Sequence, residues 1–227
     1  MPFFDVEYFS HGEEMMCKAN KYDLALSFWT VSLQYLMLVE NASREVAAHG
    51  NIWFMIKDAK DGEITLDEYA DATRWSDHTL VIPLVFNLYH GIELLVKGFL
   101  LAYSNQNIKP QHNIGELCRE FALAYPNEKE LVAFFGRFTE EQCLPDLLSS
   151  FLSDNGLTLE TFYQAVRYPC DQKFQTLRKY IELKYSGEDG LLFFNELAQS
   201  IKAIRVAAVR LGRSLKPQTQ TGQQLPA

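Results

Sequence analysis

Basic side chains are the minority charge here. Lys and Arg number 21 against 29 Asp and Glu, with five His, for a formal net charge of −8 and a pI near 5.2. A protein that coats nucleic acid through its phosphates needs the opposite balance, so broad nonspecific phosphate binding is disfavoured. That leaves room for a local basic patch. Cysteine is scarce. The four residues Cys17, Cys118, Cys143 and Cys170 are widely spread and form no CxxC. They read as reduced thiols in a cytoplasmic protein, not as a zinc or disulfide framework. No GxxxxGK, GxGxxG, GxSxG or HExxH occurs. P-loop, dinucleotide, hydrolase-elbow and zincin chemistry therefore have no support in the sequence. The start, MPFFDVEYFS, carries Asp5 and Glu7 and lacks a basic segment followed by an apolar run. No secretory leader is expected. No internal repeat is present.

What the chain has is apolar and aromatic mass. Hydrophobic residues make up 48% and aromatics 13% of 227 residues. That supports one sizeable core and excludes a disordered chain. The stretch Pro83 to Tyr103, PLVFNLYHGIELLVKGFLLAY, reads as a central helix, with Pro83 in its first turn. Its polar residues are Asn87, His90, Glu93 and Lys97. Steps of three, three and four keep them within roughly a third of the circumference. Glu93 and Lys97 stand at i, i+4 with the acid first, the favourable order. Such a pair inside a core fixes register if satisfied; alternatively the stripe lines a cleft or a dimer seam. Four polar side chains at mid-depth argue against a membrane span.

Helical periodicity predicts further elements. Tyr22 to His49 shows Leu24, Phe28, Val31, Leu33, Tyr35, Leu36, Leu38 and Val39 at three- and four-residue steps, with Gly50 as a stop. Thr65 to Glu68 is a capping-box pattern for a short helix to about Trp75. Ser104 to Gln111 is a polar loop. Helices follow at His112–Tyr125, Asn127–Phe138, Leu144–Ser153 and Thr158–Arg167, and Tyr168-Pro169 breaks the last of these. Residues 171–186 are ambiguous, a short hairpin or an extended arm. A final helix spans Leu191–Leu211, stopped by Gly212. The lead-in before about residue 18 is loosely attached, and the tail 216–227 is expected to be disordered. The domain reading is one helical unit over 1–215, with its core at about 84–211.

Three short motifs in order carry a resemblance. They are Glu93-x-x-x-Lys97 in LYHGIELLVKGFLLA, His112 in QHNIGEL after a short linker, and Arg167-Tyr168-Pro169 in AVRYP. The combination resembles the HEPN family of all-helical domains over roughly Leu84 to Leu211. Asn113 stands where the family commonly has Asp. The resemblance implies an up-and-down bundle that often dimerises, in prokaryotic defence, toxin–antitoxin or RNA-processing systems. Active members of the family are metal-independent ribonucleases with an Arg-x4–6-His pair late in the chain. There a His moves a proton at a ribose 2′-OH and an Arg stabilises the charged transition state. This chain has no His after His112. Its literal match is Arg44 to His49 on the first long helix.

Two functional readings follow. The favoured one is a dimeric binding module without nuclease activity, pairing with RNA, a nucleotide, a cognate partner protein or itself. The other is a metal-independent endoribonuclease using Arg44 and His49 or the central stripe. For Arg44 and His49 the plain reading is an exposed helix end complementing the dipole. His90 and Glu93 at i, i+3 with His112 favour a hydrogen-bonded network over a metal site, so no metal or other cofactor is expected. His112 is read as capping or pinning the loop. Arg167 and Tyr168 are expected to anchor the helix break through backbone carbonyls, or to meet a phosphate. Lys202, Arg205, Arg210, Arg213 and Lys216 crowd the last helix. They either complement its C-terminus or offer a surface to RNA, nucleotide or an acidic partner.

Overall fold

The computed structural model describes residues 21–51, 65–103, 112–171 and 173–216. The expected lead-in, the stretch after Asn51, the polar loop at 104–111, Cys17 and the tail beyond Lys216 lie outside these. Over the described residues the protein is all-helical. The elements are α1 (Lys21–Ala48), α2 (Leu66–Thr73), α3 (Asp77–Tyr103), α4 (Ile114–Ala124), α5 (Lys129–Thr139), α6 (Asp146–Asp154), α7 (Leu159–Ala165), α8 (Ile181–Lys184) and α9 (Gly187–Ser214). A 3₁₀ turn, Glu141–Cys143, links α5 to α6.

Three long helices build the frame. α1 packs against both α3 and α9. Trp29, near its start, meets Gly98 late in α3 and Gly212 late in α9. Asn51, just past its end, bonds Asp77 at the start of α3 and the Gly187 carbonyl at the start of α9. α1 therefore runs antiparallel to both. One continuous core extends from Ala25 to Leu211. Phe99, Phe121, Phe135, Phe138, Phe151, Phe162 and Phe194 fill it. By length and composition α3 could cross a membrane, but more than half of its most apolar window is buried inside the bundle, as in a core helix.

The face of α1 differs from the expected one. The core takes Ala25, Trp29, Ser32, Leu36, Val39, Ala42 and Val46, while Leu24, Val31 and Leu38 are exposed. Close approach explains the choice. Gly91 and Gly98 let α3 come near enough that a Cβ at Gly98 would sit 2.6 Å from the Trp29 ring. Ser32 Oγ donates to the Gly91 carbonyl at 2.7 Å. The missing side chains of Gly91 and Gly98 make the room that Leu36 and Trp29 fill, which selects this face of α1.

Three boundaries are also corrected. α3 begins at Asp77, so Pro83 lies inside the helix and not in its first turn. The ring points to solvent, where one missing backbone bond is cheapest. α9 spans Gly187–Ser214, so it begins before Leu191 and Gly212 does not stop it. α4 begins at Ile114, capped by Asn113 Oδ1 on the Glu116 amide at 3.1 Å, so His112 precedes the cap. The Thr65 capping box is formed as expected. One antiparallel bridge between Cys170 and Leu177 favours the short-hairpin alternative. Further on, Ile181–Lys184 turn helical as α8.

Candidate functional site

α3 projects its polar stripe toward the start of α4 and the end of α7. Glu93 is the centre, 3% exposed. Its Oε1 accepts from Lys97 Nζ at 2.6 Å and lies 2.9 Å from His112 Nδ1. A carboxylate only accepts, so the tautomer that fits this contact has its proton on Nδ1 and its lone pair on Nε2. His112 itself is highly exposed, at 79% of its side chain. His90 Nδ1 lies 3.9 Å from the other carboxylate oxygen and 3.3 Å from the Tyr163 hydroxyl. Burial holds the His90 ring below its usual pKa; Glu93 opposes this, and the nearby cations Lys97 and Arg167 add to it. Burial, followed by the Glu93 charge, pushes the Tyr163 hydroxyl up.

An aromatic stack adjoins this network. Phe86 lies parallel to His90 and to Tyr163, with centroids at 6.0 and 5.6 Å. Tyr35 of α1 meets His90 edge-on at 4.8 Å. The Arg167 guanidinium sits 5.6–6.0 Å from the rings of Phe86, Tyr163 and Tyr168. Arg167 therefore lies on rings where backbone carbonyls were the expected partners. The helix break is held instead by Tyr180, whose hydroxyl donates to the carbonyls of Ala165 (2.8 Å) and Tyr168 (3.1 Å).

His112 and Tyr163 also line a cleft of about 980 Å³ between α4, α5, the 3₁₀ turn and α7. Asn113, Arg119 and Glu140 give it polar walls. Cys118 lines it too, but burial pushes that thiol up to about 12, so it is no nucleophile near neutral pH. Among the described residues no group of three His, Cys, Asp or Glu is placed to hold a metal ion.

The structure thus joins His90, Glu93, Lys97, His112 and Arg167, with Tyr168 at the edge. Arg44, His49 and Arg205 lie elsewhere. His49 Nδ1 bonds the Glu45 carbonyl at 2.8 Å and its ring stacks on Trp75. Arg44 and Arg205 both pair with Glu40. Arg210 reaches Glu128 and Glu130 at 3.4 and 3.5 Å, so acids from α5 and its approach offset part of the basic last helix. Sequence reasoning missed Tyr163 and Phe86. Tyr163 lies four residues before Arg167, a helical spacing that offered a signal. Phe86 lies four before His90 and was masked by the apolar run around it. Fold and site together define an all-α bundle with a buried carboxylate network opening on an arginine–aromatic platform. No family model matches the chain, and no curated protein or solved structure matches it.

Proposed function

We propose that this is a HEPN-like binding module of a prokaryotic defence, toxin–antitoxin or RNA-processing system, cytoplasmic and dimeric, and that it takes single-stranded RNA at the Glu93-centred site. The observation that carries this reading is the Arg167 guanidinium layered on Phe86, Tyr163 and Tyr168 beside His90, Lys97 and His112. Stacking surfaces serve bases of any sequence, and the flanking cations serve phosphates. Lys97 and Glu93 neutralise each other, so Arg167 sets the local sign.

The His112–Glu93 geometry favours a second reading, metal-independent RNA cleavage. A carboxylate on Nδ1 orients a ring whose Nε2 can take a proton. Nε2 would remove the 2′-OH proton, the 2′-oxygen would attack phosphorus, and the 5′-oxygen would leave on taking a proton from the His90–Tyr163 pair. One experiment tests both readings. Anisotropy of a labelled single-stranded RNA should show binding that weakens about tenfold in Arg167→Gln, within the ~1–3 kcal/mol range for loss of a stacked base. Incubation with EDTA should show cleavage lost in His112→Ala if the second reading holds. Wild-type protein that neither binds nor cleaves RNA would remove both.

The dimer reading rests on Leu24, Val31 and Leu38, exposed at seven-residue steps on α1 and flanked by Phe28 and Tyr35. That is the spacing of a helix–helix seam. Tyr35 touches His90, so such a seam borders the site. Sedimentation should give a dimer for wild type and a monomer for Val31→Glu/Leu38→Glu. A monomeric wild type at tens of micromolar, of order the Kd of a weak pair, would sink the dimer.

A further inference from the structure

A second polar constellation lies apart from the Glu93 site, where the end of α1 meets the middle of α9. Glu40 is 2% exposed. Its Oε1 takes Arg44 and its Oε2 takes Arg205. A buried carboxylate holding two guanidiniums, one per oxygen, fixes both in place. It also leaves one positive charge uncompensated. A groove of about 430 Å³ opens here, with Arg44 on the α1 wall and Lys202 on the α9 wall. The amides of Asn195 and Gln199 and three alanines complete it, and no acid lines it. Lys202 forms no ion pair among the described residues. Arg44 and Arg205 share that one carboxylate, Lys202 adds a third cation on the groove, and Glu40 is not among the lining residues. In a chain of net charge −8 this local excess is contrary to the average.

We infer that the α1–α9 groove is an anion site for a phosphate monoester or diester, gripped by Arg44 and Lys202 and held in register by Glu40. The chemistry fits each part. Glu40 uses only some of the five N–H donors of Arg44, and half of that side chain remains exposed. A guanidinium fork matches two phosphate oxygens, and a lysine ammonium adds a point charge from the opposite wall. The alanines leave room for the sugar or ester carbon that a phosphate carries. The groove shares no lining residue with the cleft at His112. Along α1, Arg44 lies nine residues beyond Tyr35, about 13 Å by helical rise. The inference does not depend on the Glu93 site binding anything.

The test uses the full chain with two probes, inorganic pyrophosphate by calorimetry and a short single-stranded RNA by anisotropy. Arg44→Gln/Lys202→Gln should weaken at least one probe about tenfold and cut the salt slope for RNA by about 1.4, the counterion equivalent of two contacts on a single strand. Glu40 keeps Arg205 in that variant, so the fold is retained, and an unchanged thermal midpoint checks it. Lys202→Gln alone touches no acid and should show about a threefold loss and about half the slope change. A loss confined to pyrophosphate identifies a small phosphorylated ligand. A loss confined to RNA identifies the polynucleotide backbone. Running His112→Ala in parallel separates this groove from the other site, because that variant should leave pyrophosphate binding unchanged. If neither probe binds wild type, or the double variant binds both as tightly as wild type, the inference is wrong.

Discussion

Glu93→Leu is expected to cost about 3–5 kcal/mol, the range seen when one partner of a buried pair is removed. Glu93 and Lys97 are both largely withdrawn from water. Deleting the acid leaves a largely buried ammonium without its counter-charge and releases His112. For a chain of this size the loss should appear as a drop in Tm of roughly 10 °C. The double variant Glu93→Leu/Lys97→Met should recover most of it, because a buried pair replaced by apolar groups of similar volume is often near neutral. The interaction energy from the cycle, read by urea unfolding, should therefore be large. If the double variant is as unstable as the single one, Glu93 acts through some other contact. The recovered double variant has a further use. It folds without the central charge pair, so any RNA binding it loses belongs to the site and not to the scaffold.

The stripe behind that prediction was legible because helical spacing is strict. Asn87, His90, Glu93 and Lys97 had to share a face, and an acid four residues before a lysine had to be a pair. The joining of His112 to Glu93 was suggested only by the order of motifs. No local rule predicts that a residue 19 positions on should return to the same carboxylate. Elements were read better than faces. α1 carries apolar residues around most of its circumference, so periodicity could not say which side meets α3. The glycines of α3 decided that, through a close approach that exists only in three dimensions. The role of Asp77 leaves no local signal for a similar reason. It is fully buried, and its Oδ2 accepts from Asn51 Nδ2 and from the amide and hydroxyl of Ser186. Its three partners come from positions 51 and 186, at the far ends of other helices. The last-helix cations were visible as a cluster. Their acids, Glu40, Glu128 and Glu130, were not, because they come from α1 and from the start of α5, far from the last helix in sequence.

The junction at Asp77 yields the other large effect. Gly190 sits in the first turn of α9, facing that junction. A Cβ placed there would lie 2.1 Å from Ser186 Oγ, 2.8 Å from Asn51 Nδ2 and 3.1 Å from Asp77 Oδ2. The serine could turn away, but only by leaving Asp77, whose Oδ2 it reaches at 2.7 Å. Asn51 has no such freedom. Its Oδ1 accepts the Asp77 amide at 2.7 Å, its Nδ2 donates to Asp77 and to the Gly187 carbonyl, and its backbone is already left-handed at φ 52°. Gly190→Ala must therefore break bonds to a buried carboxylate or push two helix starts apart. Overpacking and a stranded polar group together should cost about 3 kcal/mol or more. Gly212→Ala, near the other end of the same helix, is the natural comparison. There the added Cβ would meet the Trp29 ring at 3.4 Å, an ordinary contact. With no clash, the helical preference for alanine should show as a gain of up to about 1 kcal/mol. The same chemical change in one helix is thus expected to have opposite signs, readable as opposite shifts in the urea midpoint at constant m-value. Equal small effects at both positions would mean that the junction of Asn51, Asp77 and Ser186 yields freely and does not hold the three long helices together.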